Sequence, residues 1–308
     1  MPSTEHAPLR LPSFLRKNRG GFHERGELTS RLRAGSLHTV CEEARCPNIG
    51  ECFSSGTATF MILGDTCTRR CHFCAVKTGR PLAPSDDEPS EVARAARDMG
   101  LRHVVITSVD RDDLTDLGAS HWAKTVRAVK GAVPTATVEI LTPDFKGRAE
   151  LIDVVLAAEP DVFNHNTESV RRLYKRVRPQ SDYDVTRRVL KTVVARGHPC
   201  VKSGLMVGLG ETDDEVIETL DELRDAGVHI VTIGQYLRPT MKHWPVERYV
   251  DEETYARYIA HGERLGFTHI FAGPFVRSSY HAAEAMRAHD ASPKAVSRAH
   301  KKPLPVLS

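Results

Sequence analysis

From residue 57 onward the chain alternates short apolar runs with longer amphipathic stretches. The runs "TATFMIL" (57–63), "RHVVITS" (102–108), "ATVEILT" (136–142), "DVFNHN" (161–166), "CVKSGLMVGLG" (200–210) and "VHIVTIGQYL" (228–237) have strand length and are rich in Val, Ile and Leu. Between them, residues 90–100, 120–131, 148–158, 182–196 and 213–226 carry apolar positions at helical spacing. Continuous apolar runs belong to strands buried on both faces, and strands separated by helices pair in parallel. The pattern predicts an α/β protein with six βα units. That is fewer than the eight of a closed barrel, so a partial (β/α)6 TIM-like barrel and a doubly wound sheet both fit. A helix near 252–265, a strand "FTHIFAG" (267–273) and a further helix after Arg277 follow.

The flanks are organised differently. Residues 1–35 read as an extended N-terminal arm, 36–56 as a cysteine-bearing segment, 57–240 as the partial barrel, 241–290 as a C-terminal extension closing it, and 291–308 as a basic tail. No window approaches the ~18 uninterrupted apolar residues of a membrane span. The first twenty residues show no apolar signal region, so a cytoplasmic protein without a membrane partner is expected. With 43 Lys and Arg against 40 Asp and Glu, the net charge of +3 does not argue for nucleic acid.

The cysteines change the picture most. Six of the seven, at 41, 46, 52, 67, 71 and 74, crowd one short stretch, and the seventh, Cys200, reads as a buried strand thiol. In a reducing compartment, clustered cysteines bind metal or do redox work rather than form disulfides. The loop "CTRRCHFCAV" (67–76) presents Cys67, Cys71 and Cys74 as C-x3-C-x2-C, directly after the first strand. In either architecture that is the ligand-binding end of the sheet. Zinc usually takes four protein ligands, and His72 is squeezed between two closely spaced cysteines. Three thiolates suit three corners of a [4Fe–4S] cube with one iron open. Cys41, Cys46 and Cys52 lie in a polar stretch poorly suited to core packing, so they suggest a second cluster, with a structural zinc site as the alternative.

The loop resembles the motif of the radical S-adenosylmethionine enzymes. Taken with "CEEARCPNIGECF", "TSVDRDDL", "VFNHNTE", "YKRVRP", "KSGLMVGLGE", "QYLRPT" and "GPFVRSSYHA", it is similar to the lipoyl synthase family over roughly residues 38 to 290. The resemblance implies two [4Fe–4S] clusters and S-adenosyl-L-methionine. It also implies sulfur insertion at C6 and C8 of an octanoyl-lysine on a lipoyl carrier domain, of the 2-oxoacid dehydrogenase E2 or glycine cleavage H protein type. An electron donor such as flavodoxin or ferredoxin is implied as well. By the same resemblance Cys67, Cys71 and Cys74 hold the cleaving cluster, and Phe73 lies near the adenine. Cys41, Cys46 and Cys52 hold the sulfur-donating cluster, with Ser278, or its neighbour Ser279, as fourth ligand. Ser108 and Asp110 are candidates for the methionyl amine, and Asn164 and Glu168 for the ribose or substrate. The bland alternatives are a capped loop and a satisfied turn.

Three weaker signals remain. "RRLYKRVRP" (171–179) reads as a solvated basic face, a docking patch for an acidic carrier, or the source of an Arg for the S-adenosylmethionine carboxylate. "GLMVGLGE" lacks the ending of a phosphate loop, so its glycines are expected to admit close backbone approach to a ligand. Outside this family, a methylthiotransferase-like enzyme and a zinc-stabilised binding module are the competing functions.

Overall fold

The computed structural model of the chain describes residues 9, 10, 12, 15, 38, 39, 48, 51, 52 and 55–279. Cys41, Cys46, most of the arm, the helix expected beyond Arg277 and the basic tail lie outside the described residues.

The short strand β1 (His38–Thr39) precedes β2 (Thr57–Ile62), and two-residue strands β3 (Thr66–Cys67) and β4 (Lys77–Thr78) follow. Then come α1 (Glu88–Asp98), β5 (His103–Ser108), α2 (Ala119–Ala132), β6 (Thr137–Leu141), α3 (Ala149–Leu156) and β7 (Val162–Asn164). The rest is α4 (Arg171–Val177), α5 (Tyr183–Ala195), β8 (Val201–Val207), α6 (Asp213–Asp225), β9 (Ile230–Gln235), α7 (Glu252–Leu265) and β10 (His269–Gly273). The main sheet has the order β1-β2-β5-β6-β7-β8-β9-β10, and β2 to β10 run parallel while β1 pairs antiparallel on the edge. This is the partial TIM-like barrel expected from the six βα units, with β10 added as a seventh parallel strand.

Local chemistry sets the boundaries. The first helix begins two residues before the apolar pattern suggests, with Pro89 in its first turn, where a missing N–H costs nothing. Asp182 caps α5 by accepting from the Asp184 and Val185 amides, and Thr212 with Glu215 forms a capping box on α6. The fifth predicted strand stops at Val207 because Gly208 turns the chain with φ +97°.

Both faces of the sheet are buried. Phe60, Ile62, Ile106, Val138, Ile140, Phe163 and Val207 are inaccessible, as is Trp122 on α2. Cys200 is fully buried beside Val162 and Ile230, as expected of a structural thiol. One polar cluster interrupts this core. The Glu139 carboxylate accepts from Lys202 Nζ at 2.9 Å and from Asn164 Nδ2 at 3.1 Å, with His103 Nε2 at 3.4 Å. Those four residues come from β5, β6, β7 and β8, so the cluster ties four neighbouring strands. Burial opposes ionisation of Glu139, but the Lys202 charge and His103 outweigh it and hold the carboxyl down at about 2.

Candidate active site

The loops that follow β2, β5, β6, β7, β8 and β9 all leave from the same end of the sheet, because the strands are parallel. The cysteine loop is built there from several directions. After β2 the chain turns at Leu63 (φ +67°) and Gly64 (φ +90°). Glu88, at the start of α1, fixes that turn by accepting from the Leu63 amide at 2.7 Å, while His121 Nε2 lies 2.6 Å from the same oxygen. Pairing of β3 with β4 then gathers residues 68–76 into a closed finger carrying Cys71 and Cys74.

The segment after β5 is the floor of this finger. The Asp110 carbonyl accepts from Thr68 N at 3.0 Å and Thr68 Oγ1 at 2.9 Å, and the Asp110 and Arg69 amides donate to Cys67 Sγ at 3.3 and 3.4 Å. Arg69, between two of the cysteines, is a buried clamp. Its guanidinium donates to both oxygens of Asp112 (2.7 and 2.9 Å) and both of Asp144 (2.6 and 2.8 Å), and to Ser181 Oγ at 3.3 Å. Bidentate pairing of this kind fixes orientation as well as distance. It draws Asp144 well down, to about 2, against the opposing effect of burial.

The candidates of this segment are therefore partly engaged. The Asp110 carboxylate sits 3.5 Å from Arg69 Nε and 3.8 Å from Cys67 Sγ, and burial raises its pKa despite Arg69. Ser108 Oγ donates to the Val109 carbonyl at 2.8 Å.

The other side of the finger rests on α4 and the segment after β9. The His72 amide donates to Val177 O at 2.8 Å, and His72 Nδ1 lies 2.8 Å from Arg176 O. Trp244 N donates to His72 O at 2.8 Å, and the two rings lie parallel within 5° at 6.3 Å. His243 Nε2 lies 3.1 Å from the Cys74 carbonyl. Phe73 is half-buried against the core.

Across the mouth, the buried Arg178 donates to Tyr174 Oη at 2.7 Å and leaves its Nε without a hydrogen-bond partner. Its charge reaches Cys71, Glu168 and Asp110. Glu168 adopts φ +69° and bonds through its backbone to Gly204 and Met206 of β8, and burial pushes its carboxyl pKa up. Asn164 donates its amide to Glu139 Oε1 at 3.1 Å, which joins it to the buried cluster of the sheet. Asn166, two residues on, reaches Ser278 Oγ at 2.6 Å. Ser278 arrives there because Gly234 on β9 has no side chain: a Cβ would stand 2.2 Å from the Val276 carbonyl. The glycine of "GLMVGLGE" at 204 likewise makes room for the Thr232 hydroxyl and Asn166 Oδ1, so protein groups, rather than a ligand, occupy that space.

Cys52 is brought to the same region. Its amide donates to Asn48 O at 3.0 Å, and Asn48 Nδ2 donates to Phe275 O at 2.7 Å, three residues before Ser278.

The thiols suit an iron–sulfur cluster. As free groups, burial pushes Cys67 up to about 11 and Cys74 up to about 12, and raises Cys71 against the nearby Arg178. Three coupled thiols that resist ionisation are stabilised as thiolates by a cationic centre. Among the described residues no three His, Cys, Asp or Glu side chains converge as a single metal ion requires, whereas a cube takes each thiolate at a separate corner.

A family model described as Radical SAM superfamily matches residues 61–223. The lipoyl synthase of Rubrobacter xylanophilus is 55% identical over 259 residues, covering 84% of this chain and 81% of that protein. The chain belongs to the lipoyl synthase family. The lipoyl synthase of Nitrosomonas eutropha agrees, at 52% identity over 285 residues, 92% of this chain and 90% of that protein. Solved structures share the fold. SuiB of Streptococcus suis bound to S-adenosylmethionine superposes with TM-score 0.56 at 11% identity over 82% of this chain, which spans 61% of SuiB. HydG of Carboxydothermus hydrogenoformans gives 0.57 at 14% identity, over 86% of this chain and 69% of that one.

Membership of the lipoyl synthase family makes this a radical S-adenosylmethionine enzyme that uses a [4Fe–4S] cluster and S-adenosylmethionine. It displaces the zinc-module and methylthiotransferase alternatives. Among the described residues no helix is long and apolar enough to cross a membrane. Sequence reasoning missed Arg69, Asn166 and Gly234. Arg69 lies inside the motif, but its carboxylate partners come 43 and 75 residues later.

Proposed function

We propose that the chain inserts two sulfur atoms, at C6 and C8, into an octanoyl group carried on a lysine of a lipoyl carrier domain. The observation that carries this reading is the tie between the Cys52 turn and the Ser278 segment at the mouth that also receives the Cys67–Cys74 loop. Cys67, Cys71 and Cys74 would hold the cleaving cluster, and Cys41, Cys46, Cys52 and Ser278 the auxiliary one. When bound, these groups supply the electron that cleaves S-adenosylmethionine and the sulfur that is transferred.

The chain's own residues do the rest. Arg69 fixes the loop to the ends of β5 and β6. Arg178, buried with an unpartnered Nε beside Cys71 and Glu168, offers a fixed positive charge for the methionyl carboxylate. Glu168 and Asp110 supply acceptors for the amine and ribose, and Phe73 an apolar edge for the adenine. Asn166 directs the Ser278 oxygen toward the mouth. The apolar sheet beneath excludes water, which protects a carbon radical from quenching. The carrier would be an E2 or H-protein lipoyl domain, and the compartment a reducing cytoplasm, where the thiols stay available for iron.

Single-turnover incubation of the reconstituted enzyme with an octanoylated carrier peptide, S-adenosylmethionine and dithionite tests this. Mass spectrometry should show two sulfurs gained and 5′-deoxyadenosine released. Release of 5′-deoxyadenosine without sulfur gain would overturn the assignment.

A further inference from the structure

We propose that the outer face of the cysteine loop is a docking surface for an acidic one-electron carrier protein. The inference rests on reading that loop as the holder of the cleaving cluster, and it adds where the electron enters.

Three segments meet at this face: the loop itself, the C-terminal end of α4 with the residues after it, and the connection after β9. No Asp or Glu occurs within residues 66–85, 169–181 or 226–246. Arg70, Arg176 and Lys242, one from each segment, are exposed. Each adjoins the turn that carries the thiols. Arg70 directly precedes Cys71, and its amide is held by Gln180 Oε1 at 2.6 Å. Arg176 gives its carbonyl to His72 and lays its guanidinium 5.2 Å above the Trp244 ring. Lys242 precedes His243, which reaches the Cys74 carbonyl.

None of the three has a carboxylate partner within 4 Å among the described residues. Their neighbours on α4 differ: Arg171 pairs with Asp184 and Glu222, Arg172 with Glu215, and Lys175 with Asp182. The basic run 171–179 is therefore not one patch. Its first half is neutralised locally, Arg178 is buried, and Arg176 alone joins the unpaired cations around the loop.

At the centre stands His72, exposed, between two of the thiols and stacked on half-buried Trp244. A partner seated here touches the turn between Cys71 and Cys74 directly. Unpaired cations at the rim, with aromatic surface in the middle, fit an acidic partner by charge and by packing. One electron would pass from the carrier's reduced flavin or iron–sulfur centre, which is oxidised, to the cluster that Cys67, Cys71 and Cys74 would hold; no bond or proton moves in docking. The observations favour the electron carrier over the octanoylated domain because the cations surround the thiol turn itself rather than the Asn166–Ser278 side of the mouth.

The test uses reconstituted holoenzyme with Arg70→Glu, Arg176→Glu and Lys242→Glu, singly and combined. Release of 5′-deoxyadenosine is followed with either dithionite or flavodoxin hydroquinone as reductant. The combined variant should match wild type with dithionite, and fall about tenfold or more with flavodoxin at low ionic strength. Added salt should shrink that gap by slowing wild type. Parallel loss with both reductants, or no loss with flavodoxin at low salt, would overturn the proposal. So would a raised KM for the octanoylated carrier under dithionite, which would give the surface to the substrate protein. If wild type releases 5′-deoxyadenosine with this dependence but never sulfurates the carrier, the docking surface stands and the assigned reaction falls.

Discussion

The Asn166 side-chain amide donates to the Ser278 hydroxyl at 2.6 Å, so the loop after β7 holds a residue that follows β10. Replacing Asn166 with Leu removes the donor and leaves the thiols of the cysteine loop untouched. One hydrogen bond of this kind is worth about 1 kcal/mol. Sulfur insertion should fall about fivefold to tenfold per 5′-deoxyadenosine released, measured as the ratio of the two products in single turnover. An unchanged ratio would show that Asn166 does not position Ser278.

Gly234→Ala acts on the same residue from the opposite side. The added Cβ would lie 2.2 Å from the Val276 carbonyl, a backbone atom that cannot swing away like a side-chain end. Overpacking of this kind costs about 1–3 kcal/mol. Reconstituted protein should show a lower melting temperature and lose iron toward the content of a single cluster, by iron and sulfide analysis.

Arg69→Lys keeps the charge but cannot form two bidentate pairs at once. Asp144, 3% exposed, then loses much of its partner. A broken buried pair costs about 3 kcal/mol, and the cysteine loop should lose its register on β5 and β6. The expected result is poor iron retention under gel filtration with a native-like circular dichroism spectrum. Retention equal to wild type would remove Arg69 from the positioning set.

Lys202→Met tests the buried cluster beneath the mouth. The Glu139 carboxyl is held at about 2, below its ordinary value near 4.3. A depressed carboxylate contributes stability that is present above the unfolded pKa and is lost as pH falls from about 4.3 toward 2. Removing Lys202 should destabilise the protein by about 3 kcal/mol at neutral pH and flatten the loss of stability on acidification. Urea denaturation at several pH values between about 6 and 3 reads both effects.

The sheet was legible in the sequence because its strands are dominated by Val, Ile and Leu, a signal that survives the few buried polar positions and needs no partner. The two-residue strands β1, β3 and β4 were not, since so short a run has no period. Helix α4 was hidden by its charges: Leu173, Tyr174 and Val177 are buried, but basic residues outnumber them. At the site, cysteine spacing pointed to the loop, while the groups that hold it arrive from distant segments. An unbroken strand over 161–166 would put Asn164 and Asn166 on one face. Which of the two reaches the mouth depends on β7 ending at Asn164, a boundary the sequence alone does not give.

The sheet begins at β1 and ends at β10, and β2 is not paired with β10. Among the described residues the two ends are joined instead by a side chain, Asn48 Nδ2 donating to Phe275 O at 2.7 Å. The segment before β2 that carries Cys52 and the segment after β10 that carries Ser278 thus hold the two edges of the sheet to each other. Whatever loosens one of these segments therefore loosens the ring of strands as well.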